Sequence, residues 1–173
     1  MNIKVIGCRD KIKYREELIK KIKYFGKENK IACQIMDAEM IYSKEHVVSA
    51  VEHAVRAFKN KTNSCNTLDM EILLYASGKR QIKDAIDVMG IKDGEKFVFV
   101  SAGKTGIADY NGEVKGIEDF IKNLGVEIDN TVINGNDEFL KKFGIGKKEL
   151  ETVDKSMYGD LILEKVAMVD VIK

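Results

Sequence analysis

The chain has 173 residues, enough for one domain with a sizeable core, and its 45% hydrophobic content argues against a disordered chain. With 29 basic and 28 acidic residues the net charge is +1, which argues against a general nucleic-acid coat but leaves room for a local basic patch. There is no Pro and no Trp, and the Lys-rich, 33% charged composition is like that of proteins from hot environments. The three cysteines, Cys8, Cys33 and Cys65, are odd in number and lack C-x-x-C spacing. A zinc site or a disulfide framework is not expected, and reduced, partly buried thiols of a cytoplasmic protein are. Lys4, Arg9 and Asp10 interrupt any apolar signal-peptide run, and no run approaches the ~20 apolar residues that span a bilayer.

Ile3–Cys8 alternates weakly and reads as a first strand. Asp10 then helps to start a helix lined by Tyr14, Leu18, Ile19, Ile22 and Phe25, with Glu16, Lys20, Lys23 and Lys27 as its solvated outer face and Gly26 and Asn29 near its end. Ile31–Met36 reads as a second strand. Ser43 is a good N-cap for the next helix, because its hydroxyl can accept a free first-turn amide proton. Val47, Val51, Ala54, Val55 and Phe58 form the apolar face of that helix. His46, Ser49, His53, Arg56 and Asn60 form the opposite, polar stripe, so both histidines of the chain are expected on the surface. Two helical turns separate them by ~10 Å of rise, too far to share one metal ion.

Beyond the polar loop Lys61–Asn66, the stretch Glu71–Ile91 reads as a short apolar helix, a turn at Ser77-Gly78 and a second helix closed by Gly90. Ile82, Ala85, Ile86 and Met89 recur at helical spacing, with Lys83, Asp84 and Asp87 on the other face. The unit is a helical hairpin with a basic, amide-bearing elbow of Lys79, Arg80 and Gln81.

Lys96–Ala102 is an apolar run expected as a central strand. The Gly103-Lys104-Thr105-Gly106 that follows lacks the G-x-x-x-x-G-K-[ST] spacing of a phosphate loop, since Val98 holds the first glycine position, and it reads as a strand-ending turn. Gly116–Leu124 and Asp137–Phe143 suggest short helices, and the chain restarts near Asn130-Thr131. Gly144-Ile145-Gly146 lacks the third glycine and the preceding strand of a dinucleotide motif. Ser156–Ile172 has Met157, Leu161, Ile162, Val166, Val169 and Ile172 spread over much of a helical wheel, as in a core helix or one that buries a second face in a partner. Val166–Val171 is also compatible with a strand. No linker or repeat divides the chain, so residues 1–173 are expected to form one α/β (α+β) domain, a small mixed or antiparallel sheet packed with helices.

No nucleophile elbow, H-E-x-x-H or Cys-His signature is present, so no catalytic set, metal or cofactor is expected. Lys79 and Arg80 stand at a helix start, where free amides favour an anion. Packing of the two helices would add Arg56 and Lys59, making one patch of four cations, with Ser77 and Gln81 as hydrogen-bonding groups. Such a site suits a single-stranded nucleic-acid end.

Glu71, Leu73-Leu74, Ser77, Arg80-Gln81-Ile82, Ala85-Ile86 and Gly90-Ile91 resemble the central motif of the regulatory subunit of the KEOPS tRNA-modification complex, the family of the p53-related protein kinase-binding protein. The likeness extends more weakly from Cys33 to Val100, and the helix preference for the last stretch also comes from it. It implies a non-catalytic subunit that binds the small kinase-like ATPase subunit of that complex. It also implies help in recruiting tRNA, through its CCA end, for threonylcarbamoyladenosine formation. The elbow set Arg56, Lys59, Ser77, Lys79, Arg80 and Gln81 is then the expected tRNA contact, and Leu161, Ile162 and Val169 are the expected partner interface. Two other readings stand beside it: a protein-interaction module without RNA contact, and a small-molecule enzyme using the Ala102–Gly106 turn.

Overall fold

The computed structural model describes residues 1–10, 14–92 and 96–173. In them the chain runs β1 (Asn2–Arg9), α1 (Arg15–Glu28), β2 (Ala32–Asp37), α2 (Lys44–Asn60), α3 (Leu68–Ser77), α4 (Ile82–Met89), β3 (Lys96–Gly103), α5 (Ile117–Asn123), β4 (Glu127–Ile128), α6 (Asp137–Lys142), α7 (Lys147–Leu150) and α8 (Tyr158–Ile172). The helix start expected beside Asp10 falls on residues 11–13, outside the described residues. The described helix follows Tyr14, which makes no side-chain cap.

The four strands form one antiparallel sheet in the order β2-β3-β1-β4. β3 is the inner strand of the long three, pairing with β1 from Lys96 opposite Arg9 to Gly103 opposite Asn2, and with β2 on its other side. It is covered on both faces, so all of it but Lys96 is buried, and this is why its sequence is a continuous apolar run. Val98, Val100 and Ala102 face a core shared with α2, α3 and α8. Phe97 and Phe99 face a second core with Ile22 of α1 and Ile117 and Ile121 of α5. The sheet therefore separates two helical layers. The two-residue β4 has no sequence signal of its own. It is held by Gly7, whose N–H donates to Asn130 Oδ1 at 3.0 Å, and a Cβ at Gly7 would overlap the Asp129 carbonyl oxygen.

In α3 every residue except Asp69 and Met70 is buried, and its polar groups must find partners inside the protein. The Glu71 carboxylate, fully buried, accepts the backbone N–H groups of Ser64 and Cys65 and pairs with Lys173 Nζ at 2.8 Å. The Ala76 carbonyl accepts from His46 Nε2 at 2.8 Å, while His46 Nδ1 accepts the Tyr42 N–H at 3.3 Å. This pair of bonds assigns the neutral Nε2–H tautomer. His46 is thus a core residue, not the surface histidine that its helical stripe suggests, and desolvation pushes its pKa down to about 4. Ser43 caps α2 as expected, its hydroxyl accepting the His46 N–H. Gly78 ends α3 at φ 62°, a left-handed position that favours glycine. In α4, Ala85 and Met89 are buried, but Ile86 is exposed despite its place in the apolar stripe. All three cysteines are buried and free, and burial foremost pushes each thiol up to about 12, which keeps them protonated at neutral pH.

Two outcomes follow from these closures. Glu71→Ala strands the Lys173 ammonium and is expected to cost about 3–5 kcal/mol in denaturant unfolding, whereas Glu71→Met combined with Lys173→Met recovers most of the loss. The depressed His46 pKa means that the unfolded chain, titrating near 6.5, takes up the proton first. Its contribution is present above about pH 6.5 and is lost as pH falls towards 4, by about 3 kcal/mol. The stability difference between wild type and His46→Gln, followed from pH 7.5 to 4, is expected to shrink over that window.

Candidate nucleic-acid and partner interfaces

The elbow joins α3 to α4. Ser77, 2% exposed, donates to the Leu74 carbonyl at 2.7 Å and accepts the Lys79 N–H at 3.2 Å. It shapes the turn and is not available to a ligand at the surface, which corrects the expectation of a surface contact. Lys79 is half-buried, while Arg80 and Gln81 are exposed. Among the described residues no carboxylate pairs with Lys79 or Arg80. Gln81 stands at the N-cap of α4 without a side-chain capping bond, so its amide is not used by the helix. The turn rests on the ring of Phe143 and on Lys165 of α8.

The expected patch of four cations divides in two. His46, in the first turn of α2, meets Ala76 at the end of α3, so the helices run antiparallel with the elbow at the N-terminal end of α2. Arg56 and Lys59 lie ten and thirteen residues further on, roughly 15 and 20 Å along the helix axis. Lys59 Nζ lies beside Gly106 at the 103–106 turn. The Arg56 guanidinium lies 2.6 Å from His53 Nδ1 and 3.5 Å from Asp170 Oδ2 of α8. His53 Nδ1 is also 2.8 Å from Asp170 Oδ2, and the Tyr75 hydroxyl donates to Asp170. Desolvation raises the Asp170 pKa, but the bonds from Tyr75 and His53 outweigh it and hold the group below the usual carboxylate range. Burial, then this bond to Asp170, raises the Tyr75 pKa. Arg56 is therefore part of the seam between α2 and α8.

α8 is helical, as the resemblance implied, and its two sides separate cleanly. Ile162, Val166 and Val169 are fully buried in the core. Ile162 and Val169 are thus core residues in the chain itself, which corrects their expected place in a partner interface. Leu161 is half-buried and packs against the margin of the same core, while Met157, Met168, Val171 and Ile172 are exposed. Met168 is 42% and Val171 74% exposed, and Leu161, Met168 and Val171 lie 4, 11 and 14 residues from Met157, on one face with the exposed Glu164 at the intervening position. Composition marks this division only by Glu164, because apolar side chains stand on both sides of the helix.

The 103–106 turn closes on itself. Thr105, 1% exposed, donates to the Tyr110 carbonyl at 2.9 Å and accepts the Ile107 N–H, and Lys104 pairs with Glu113 at 2.8 Å. No helix of at least two turns follows to present amides to a phosphate. Among the described residues no cluster of three His, Cys, Asp or Glu side chains could hold a metal ion, and no helix is long and apolar enough to cross a membrane.

The chain belongs to the family described as kinase binding protein CGI-121, whose sequence pattern matches residues 10–170. It is 33% identical over 119 residues to the KEOPS complex subunit Cgi121 of Pyrococcus abyssi, covering 69% of this chain and 62% of that protein. It is 29% identical over 147 residues to the regulatory protein Cgi121 of Methanocaldococcus jannaschii, covering 81% of this chain and 84% of that protein.

Proposed function

We propose that the chain is the non-catalytic regulatory subunit of a KEOPS complex. In this reading it binds the kinase-like ATPase subunit through the outward face of α8 and helps to recruit tRNA through the elbow. The exposed apolar side chains of Met157, Met168, Val171 and Ile172, grouped around Glu164 on the solvent side of a tied-down helix, carry the reading, because such a face is suited to a protein partner. The ties are the Lys173–Glu71 pair, the Asp170 bonds to Tyr75 and His53, and the Lys165–Glu149 pair at 2.8 Å. They fix the stripe before binding, so little ordering cost falls on association. The names of the two relatives, and of the family, support the same assignment.

For tRNA, Lys79 and Arg80 supply cations without described carboxylate partners, and Gln81 supplies an unused amide at a helix start, the groups that a splayed CCA end requires. The internal closure of the 103–106 turn weighs against the small-molecule enzyme. The module without RNA contact is decided by measurement. Met168→Asp with Val171→Asp is expected to weaken binding to the kinase-like subunit by about a hundredfold with little change in melting temperature, whereas Ile162→Asp is expected to unfold the chain. Lys79→Glu with Arg80→Glu is expected to weaken binding of intact tRNA and lower its log–log salt slope by about 1.4, at ~0.7 per single-strand phosphate contact. Equal affinity of wild type and this variant for tRNA with and without its CCA end would remove the elbow's role in binding that end.

A further inference from the structure

The elbow lies on one side of the sheet and α1 lies on the other, and α1 carries an unexpected concentration of charge. Arg15–Lys30 holds six cations and three carboxylates in a chain that is otherwise balanced, 29 against 28. Lys20, Lys23, Lys27 and Lys30 are exposed, and no described carboxylate pairs with any of them. Lys21 alone among these lysines has a described partner, Glu17 at 2.7 Å. Two tyrosines stand among the lysines, Tyr14 at 74% and Tyr24 at 67% exposure. A helix selected only for solubility has no use for bare aromatic rings.

Hollows flank α1 on both sides. One, of about 460 Å³, has a floor of Phe25, Phe120 and Leu124 and walls of Lys20, Lys21 and Tyr24, with Glu28 and Asn29 at one end. Phe25 and Phe120 stack at 4.0 Å between ring centroids, a rigid flat floor. The other, of about 480 Å³, brings Lys23, Lys27 and Lys30 together beside Gly26 and Tyr110, with Asp69 and Asp109 on its far wall. Lys20, Lys23, Tyr24 and Lys27 are neighbours at helical spacing along the crest between the hollows. Cations that alternate with exposed rings above an apolar floor match an unpaired nucleic-acid strand. Its phosphates take the ammonium groups, and a splayed base takes the ring and the floor.

We propose that the crest of α1 is a second RNA-binding surface, which seats an unpaired RNA segment other than the 3′ end. The proposal rests on the RNA-recruiting reading for the kind of RNA, but not on the elbow as the contact. The test uses tRNA trimmed of its CCA end, so that the elbow contributes nothing. Lys20→Gln, Lys23→Gln and Lys27→Gln combined are expected to lower the log–log salt slope of trimmed-tRNA binding by about 2. Tyr24→Ala is expected to weaken that binding by about fivefold to a hundredfold, the range for one lost base stack. Lys79→Glu with Arg80→Glu is expected to leave it unchanged. Lysine acetylation of the wild-type protein, with and without trimmed tRNA, gives a readout that needs no variant. Lys20, Lys23 and Lys27 are expected to be protected, and Lys147 and Lys148 are not. Unchanged binding in both α1 variants, absence of protection, or competition by polyglutamate equal to that by RNA at matched charge would each overturn the proposal. Failure of the elbow variants alone would overturn only the CCA-end assignment.

Discussion

α3 is a helix with almost no solvent-facing side, and this constraint orders the rest of the helical layer. A buried helix satisfies its own backbone in its middle turns, but its polar side chains and its last carbonyls need partners from elsewhere. Each closure recruits a different element. Glu71 gathers the 64–65 loop and Lys173, Tyr75 takes Asp170 of α8, and Ala76 takes His46 of α2. A pair such as Glu71–Lys173 contributes little net stability over an apolar replacement, since desolving two charges offsets their attraction. What these pairs contribute is position. They set α8 antiparallel to α3, with Lys173 near its start and Lys165 near its end, so only one register satisfies all of them at once.

Position matters because α8 is apolar on both sides. Burial alone would let the helix rotate and exchange Ile162 and Val169 for Leu161 and Met168, at a cost no larger than a few side chains' difference in packing. Asp170 removes that freedom. Its carboxylate must reach Tyr75, His53 and Arg56, and a turn about the helix axis would strand all three. The polar network at the α2–α8 seam thus decides which apolar stripe is core and which is surface.

Features set by local chemistry were legible in the sequence. The β3 run, the Ser43 cap and the Gly78 break each follow from a few adjacent residues, whereas the residues of the last stretch also allowed a strand and the resemblance decided for a helix. Features set by a meeting of distant residues were not. His46 lies on the polar stripe of α2, and its burial is made tolerable by the Tyr42 N–H and by the Ala76 carbonyl thirty residues away. Arg56 and the elbow sit on neighbouring helices, yet a pattern of faces does not tell which ends of those helices adjoin. Ile86 completes an apolar stripe on α4 that is wider than the surface available to cover it. The Ile162–Leu161 distinction was hidden for the related reason that hydropathy gives no sign of which of two apolar sides a polar network selects.

The sheet keeps the basic surfaces apart, and distance decides how they can cooperate. The layers of α1 and of α3 with α4 lie on opposite faces, on the order of 20 Å apart, from the ~10 Å spacing of packed layers. At physiological salt the Debye length is about 8 Å, so the field of one surface scarcely reaches the other. A cation added to α1 therefore does not raise the intrinsic affinity of the elbow for an RNA end. Coupling between them has to come from an RNA long and bent enough to touch both, which turns the second contact into an intramolecular one and multiplies the affinities without new chemistry at either site. A net charge of +1 would suit such a scheme: short RNA fragments, able to reach only one surface, would be held weakly, and length and shape, rather than total charge, would select the ligand.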